Sequence, residues 1–197
     1  MLEFPYLILA NIWLVLGTLG AYQLYLQLNI KSRQRYPEGF VKTAQYLTGI
    51  PALGSLALFM LDPDSVTSVF VTLPNFVNDI GLVPFNVAAL VILWSHVELG
   101  RFWSDQLETV DDQQVIQSGP YAHVRHPLYS SYLVLTVGFF LATANWLVGA
   151  AMFVYFVTVA ARAWKEEAML IDRLGPAYRA YSKRTPRFFP SVGQRRR

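Results

Sequence analysis

Apolar residues run through this sequence in long blocks separated by short charged stretches. A helix needs roughly 20 mostly apolar residues to cross a bilayer, and five blocks approach that length: 6–28, 44–61, 80–99, 128–144 and 146–163. Only Asn145 stands between the last two, which predicts a tight antiparallel helical hairpin. Residues 66–77 are apolar but short and contain Pro74, so an interfacial or re-entrant piece is expected there. Past residue 163, Met169, Leu170, Leu174, Tyr178 and Tyr181 recur at near-helical spacing, the mark of an amphipathic segment lying against the bundle or the interface. Gly175-Pro176 should break that segment, with the proline opening a new short helix. The expected fold is all-α: a polytopic transmembrane helix bundle of about five spans with a C-terminal amphipathic cytoplasmic helix.

Charge supports this and adds an orientation. Only 15% of the 197 residues are charged, against roughly 25% in soluble domains. Lys and Arg are absent between Lys42 and Arg101 and again between Arg125 and Arg162. The loop after the first span carries Lys31, Arg33, Arg35 and Lys42. The loop after the second carries Asp62, Asp64 and Asp79 and no cation. Arg101 and Arg125 follow the third, and ten basic residues fall in the last 36. By the positive-inside rule every cation lies on one side if the N-terminus is outside and the C-terminus cytoplasmic. The basic ending, Arg195-Arg196-Arg197, then reads as a membrane-flanking segment, and no nucleic-acid partner is expected. The start, Met1-Leu-Glu-Phe-Pro, lacks a basic n-region, so the first block reads as a retained helix rather than a signal peptide. The chain divides into two helices and an outer loop (1–79), a region holding the chemistry (80–190), and a basic tail (191–197), all within one membrane domain.

Cysteine is absent, which excludes disulfides, thiolate metal sites and a cysteine nucleophile. The three histidines lack ligand spacing, so no metal site is expected. Candidate chemistry concentrates in two strings. The first is Ser118-Gly-Pro-Tyr121-Ala-His123-Val-Arg125-His126-Pro127-Leu128-Tyr129, leading into the fourth span. The second is Arg162-Ala-Trp-Lys165-Glu166-Glu167, leaving the fifth. His126 lies 19 residues before Asn145 and Glu166 lies 21 after it, so in a hairpin the two finish at nearly the same depth. Arg125, His126, Tyr129, Arg162 and Glu166 can thus converge, with Arg162 and Glu166 four apart on one helix face. Taken singly, Arg, Lys and Tyr flanking a span are usually interface anchors; the joint pattern is what points to a site.

Those strings, followed by Leu174-Gly175-Pro-Ala-Tyr178-Arg-Ala-Tyr181, resemble the isoprenylcysteine carboxyl methyltransferase family over roughly residues 99–190. The resemblance implies a small integral membrane enzyme that uses S-adenosylmethionine, with its active site facing the cytoplasm of a bacterial inner membrane or of the endoplasmic reticulum. It implies that Tyr121, Arg125, His126, Pro127, Leu128 and Tyr129 form the cofactor site with Glu166, placed on the cofactor's amino group, and Glu167. It also implies cofactor contacts from Gln106, Gln113, Val115 and Ile116, and an acceptor-positioning role for Arg162. The chain departs from the family at Ser131, where Gly is usual, and at Gln113, where His is common.

Methyl transfer from a sulfonium is an in-line displacement in which positioning and water exclusion supply most of the rate. A carboxylate acceptor is ionised at neutral pH and needs no general base, whereas an amine must lose a proton. An arginine fork matches a carboxylate bidentately. The expected function is therefore methylation of a lipophilic acceptor drawn from the bilayer, a carboxylate such as a prenylated cysteine C-terminus. The alternatives are a phospholipid amine or small-molecule acceptor, and an NADPH-dependent sterol-type reductase, against which Pro127 argues because those enzymes tend to carry Asn there.

Overall fold

The computed structural model describes residues 6–29, 34–62, 70–104 and 107–190. Its helices are α1 (Tyr6–Asn29), α2 (Phe40–Leu61), α3 (Asn75–Leu99), α4 (Pro127–Thr143), α5 (Trp146–Ala160), α6 (Ala163–Leu174) and α7 (Pro176–Arg184). Two short strands, β1 (Gln34–Arg35) and β2 (Glu108–Thr109), pair antiparallel and tie the α1–α2 loop to the segment after α3. Among the described residues, four helices are long and apolar enough to cross a membrane. The 17-residue α4 is a shorter fifth, about 25 Å long. The chain is a polytopic all-α helix bundle.

Burial shows which way each helix faces. Ile12, Phe59, Phe85, Ile92, Phe139 and Val148 fill the interior between helices. Large apolar side chains also cover the outside, with Leu7 84%, Leu14 70% and Leu90 66% exposed. An outer surface this apolar is stable in hydrocarbon and would drive aggregation in water. The helices satisfy their own backbone groups, as a span in lipid must. α3 and α4 make the tightest pair in the bundle: a Cβ on Gly81 would strike the backbone of Ala142, and one on Gly138 the backbone of Phe85. α4 then packs on α5, α5 on α2, and α1 leans on α3. α1 and α2 make no comparable packing with each other, and the space between them and the α4–α5 hairpin remains open as a cavity.

Helix ends differ from the hydropathy reading where polar residues open a helix. α3 starts at Asn75 rather than near residue 80, because Pro74 at its N-cap needs no N–H and Asn78 donates to the carbonyls of Leu141 and Ala142 at 3.0 and 3.2 Å. Of the expected interfacial piece 66–77, residues 75–77 thus belong to α3, Phe70 forms an isolated bridge with Asn145, and 66–69 lie outside the described residues. The hairpin turn is as short as expected. Ala144 takes a left-handed conformation (φ 52°), and the Asn145 side chain accepts from the Val148 N–H at 3.0 Å. The fifth block does not run unbroken to residue 163: a turn at Ala161 and Arg162 separates α5 from α6, although the axis continues. Gly175 (φ 54°) ends α6, and Pro176 opens α7.

Candidate active site

The hairpin brings the start of α4 and the start of α6 to one end of the bundle. The loop entering α4 is pinned from behind by the stretch after α7: the Arg125 N–H donates to the Pro186 carbonyl at 2.8 Å, and the His126 N–H to that of Arg187 at 2.9 Å. Pro127 is the first residue of α4 and is buried in its wall.

Around this junction the two adjacent glutamates part company. Glu167 faces into the protein. Its Oε1 accepts from Arg125 Nε at 2.9 Å, from Arg187 Nε at 3.0 Å and lies 3.0 Å from His126 Nε2; its Oε2 accepts from Arg125 Nη2 at 3.2 Å and Arg187 Nη2 at 2.7 Å. Arg125 also donates to the Ser182 carbonyl at 2.8 Å. This network ties α4, α6 and the stretch after α7 together. Glu166 turns the other way. It accepts from the Tyr129 hydroxyl at 2.7 Å, with Arg162 Nε and His126 Nδ1 each 3.6 Å from its oxygens.

Glu166 and Arg162 line a cavity of about 770 Å³, within the range of small-molecule sites. Its outer end is polar and aromatic, bounded by Gln113, Tyr121, Arg125, His126, Tyr178 and Tyr181. Burial, and next the charge of Glu166, push the Tyr121 phenol well above its ordinary range; burial first does the same to Tyr178 and Tyr181. All three remain neutral, and Tyr181 donates to the Tyr121 carbonyl at 2.7 Å. The inner end is apolar, with Leu19, Ala52, Leu56, Leu135, Met152 and Phe156 on its walls. Arg162 and Tyr129 stand on the wall that joins the two ends.

Of the residues singled out from the sequence, Gln113, Val115, Ile116, Tyr121, Arg125, His126, Leu128, Tyr129, Arg162 and Glu166 border this one cavity. Pro127 and Glu167 are not among its lining residues, and Gln106 lies outside the described residues. Ser131, one of the two departures from the family pattern, is buried in α4 away from the lining, whereas Gln113 lines it and caps its own turn by accepting from the Val110 N–H at 3.3 Å. The sequence reading passed over Arg187, which shares Glu167, and Glu38. Glu38 sits just before α2, buried, with Oε2 3.7 Å from Arg162 Nε. One signal for it was present: it is the single acid in the otherwise basic stretch 31–42.

Residues 80–172 match the family model described as "Isoprenylcysteine carboxyl methyltransferase (ICMT) family". Over 95 residues the chain is 30% identical to the nickel-cobalt-cadmium resistance protein NccN of Alcaligenes xylosoxydans xylosoxydans, and 28% identical to the cobalt-zinc-cadmium resistance protein CzcN of Cupriavidus metallidurans. These stretches cover 48% of this chain and 45% and 44% of those proteins, so the chain spans under half the length of the relatives it matches. In fold it is similar to the eukaryotic intramembrane Ras methyltransferase ICMT, with a TM-score of 0.53 at 17% identity over 80% of this chain and 55% of that one. At that identity the likeness is one of fold.

Proposed function

We propose that the chain, whose residues 80–172 match the isoprenylcysteine carboxyl methyltransferase family model, is a membrane methyltransferase that takes the methyl group from S-adenosylmethionine and gives it to the carboxylate of a lipophilic acceptor, such as a prenylated cysteine C-terminus. The observation that carries this reading is the continuity of the cavity, which joins a charged, aromatic end to an apolar chamber across Arg162.

The residues at the outer end fit the cofactor. Glu166 offers a carboxylate to an ammonium group, Tyr121 and Tyr178 offer aromatic surface, and Arg125 and His126 complete the wall. The bound cofactor supplies an electrophilic methyl on a sulfonium. The protein's part is to hold the acceptor in line and keep water away. Arg162 can grip an acceptor carboxylate through its fork while the lipophilic tail occupies the chamber between α1, α2 and α5. An acceptor carboxylate is already ionised, so its attack on a sulfonium methyl, with the methyl C–S bond breaking to leave a neutral thioether, would require no base at this position. The loose seam between α1 and α2 gives a tail-bearing acceptor a way in from the bilayer.

The test is transfer from methyl-labelled S-adenosylmethionine to an S-farnesyl-N-acetylcysteine by the purified protein in lipid. Alkali should release the label from the product as methanol, because the product is an ester. Label that resists alkali, or transfer confined to a phospholipid amine, would overturn the carboxylate reading.

A further inference from the structure

Glu38 belongs to the α1–α2 loop, outside the region that matches the family, yet it lines the cavity beside Arg162. Three contacts fix it there. Its Oε1 accepts from the Leu107 N–H at 3.2 Å and lies 4.0 Å from Lys42 Nζ, and its carbonyl accepts from Lys165 Nζ at 2.6 Å. Oε2 is different. It is buried beside Arg162, and among the described residues it receives no hydrogen bond. A buried carboxylate oxygen held on a cavity wall without a donor carries a desolvation cost that a ligand N–H or O–H would recover.

Resting on the carboxyl-methyltransferase reading above, we propose that Glu38 is a specificity residue: its Oε2 accepts from an N–H group beside the acceptor carboxylate, so that Arg162 and Glu38 together read an N-acylated amino acid. In such a ligand the carboxylate and the nitrogen are joined through a single carbon. Placing the carboxylate against Arg162 therefore brings the N–H next to Glu38, 3.7 Å from the guanidinium. The pair also balances charge. Glu38 offsets Arg162, and a simple fatty or isoprenoid acid entering the site meets a buried carboxylate with nothing to give it. A site built to bond an N–H discriminates strongly against an analogue without one.

The experiment compares S-farnesyl-N-acetylcysteine with S-farnesyl-3-mercaptopropionate, which keeps the carboxylate and the tail and lacks the acetamido group. The wild-type protein should favour the first by about tenfold or more in kcat/KM. In Glu38→Gln, the side-chain oxygen can still serve the Leu107 N–H, which turns the amide NH2 toward the ligand, donor against donor. The preference should then fall to near one, with affinity for S-adenosylhomocysteine and thermal stability retained. Equal use of the two acids by the wild-type protein, or an undiminished preference in a folded Glu38→Gln, overturns the assignment. If neither acid is methylated while S-adenosylhomocysteine still binds, the carboxylate reading itself falls, and this assignment with it.

Discussion

Glu166 and Glu167 are neighbours in the chain, but the first lines the cavity and the second is gripped by Arg125, His126 and Arg187. Their alanine variants should therefore fail differently. Glu166→Ala should keep its thermal stability and lose about 10- to 100-fold in affinity for S-adenosylhomocysteine, since a charge-assisted contact is worth about 1.5–3 kcal/mol. Glu167→Ala strands two guanidinium groups and should cost about 3 kcal/mol of stability. Calorimetry and thermal unfolding on both variants check this, and the reverse pattern would contradict the assignment of roles. Arg162→Lys should leave cofactor affinity unchanged while turnover drops sharply, because an ammonium keeps the charge and loses the fork. A Lys variant with wild-type turnover would make Arg162 an anchor of α5 rather than an acceptor-holding group. Much of this cluster was legible in the sequence because its members are local: four residues separate Arg162 from Glu166, and a single hairpin brings Tyr129 to them. Glu38 and Arg187 were not, since they arrive from 124 residues before Arg162 and from beyond α7 through folds that no local spacing records.

At the scale of elements, the hairpin does most of the positioning, and its geometry rests on the close approach of α3 to α4. Gly81→Ala and Gly138→Ala each push a methyl into facing backbone and should cost about 1–3 kcal/mol in thermal unfolding. Gly54→Ala, on α2, meets nothing within 4 Å and should be neutral or slightly stabilising. Unfolding that treats all three alike would mean that α3 and α4 do not meet as described. The cores of the helices followed from apolar runs, because a span in lipid is set by length and hydrophobicity alone. Their first turns did not. Lys42 and Thr43 sit inside α2, and Asn78 and Asp79 inside α3, where a polar side chain at a helix end finds water or a neighbouring carbonyl. The break between α5 and α6 left no trace in composition, for neither glycine nor proline marks it.

Across the whole molecule, every described Lys and Arg lies at the end that holds the polar mouth of the cavity, while Asp62, Asp79 and the Asn145 turn lie at the other. By the positive-inside rule the mouth is expected to face the cytoplasm. The natural absence of cysteine makes this simple to test: cysteine at Asp172 should react with an impermeant thiol reagent only from the cytoplasmic side, and cysteine at Thr72 only from the other. Labelling of both from one side would refute the orientation. In the proposed orientation, a cavity polar at one end and apolar at the other would meet a water-soluble methyl donor and a lipid-borne acceptor from opposite directions. Titration calorimetry of the purified protein tests whether the polar end holds S-adenosylmethionine. Saturable one-site binding of S-adenosylhomocysteine is expected, weakened in Glu166→Ala, with no heat of binding from NADPH. Saturable binding of NADPH with none of S-adenosylhomocysteine would contradict the methyltransferase reading.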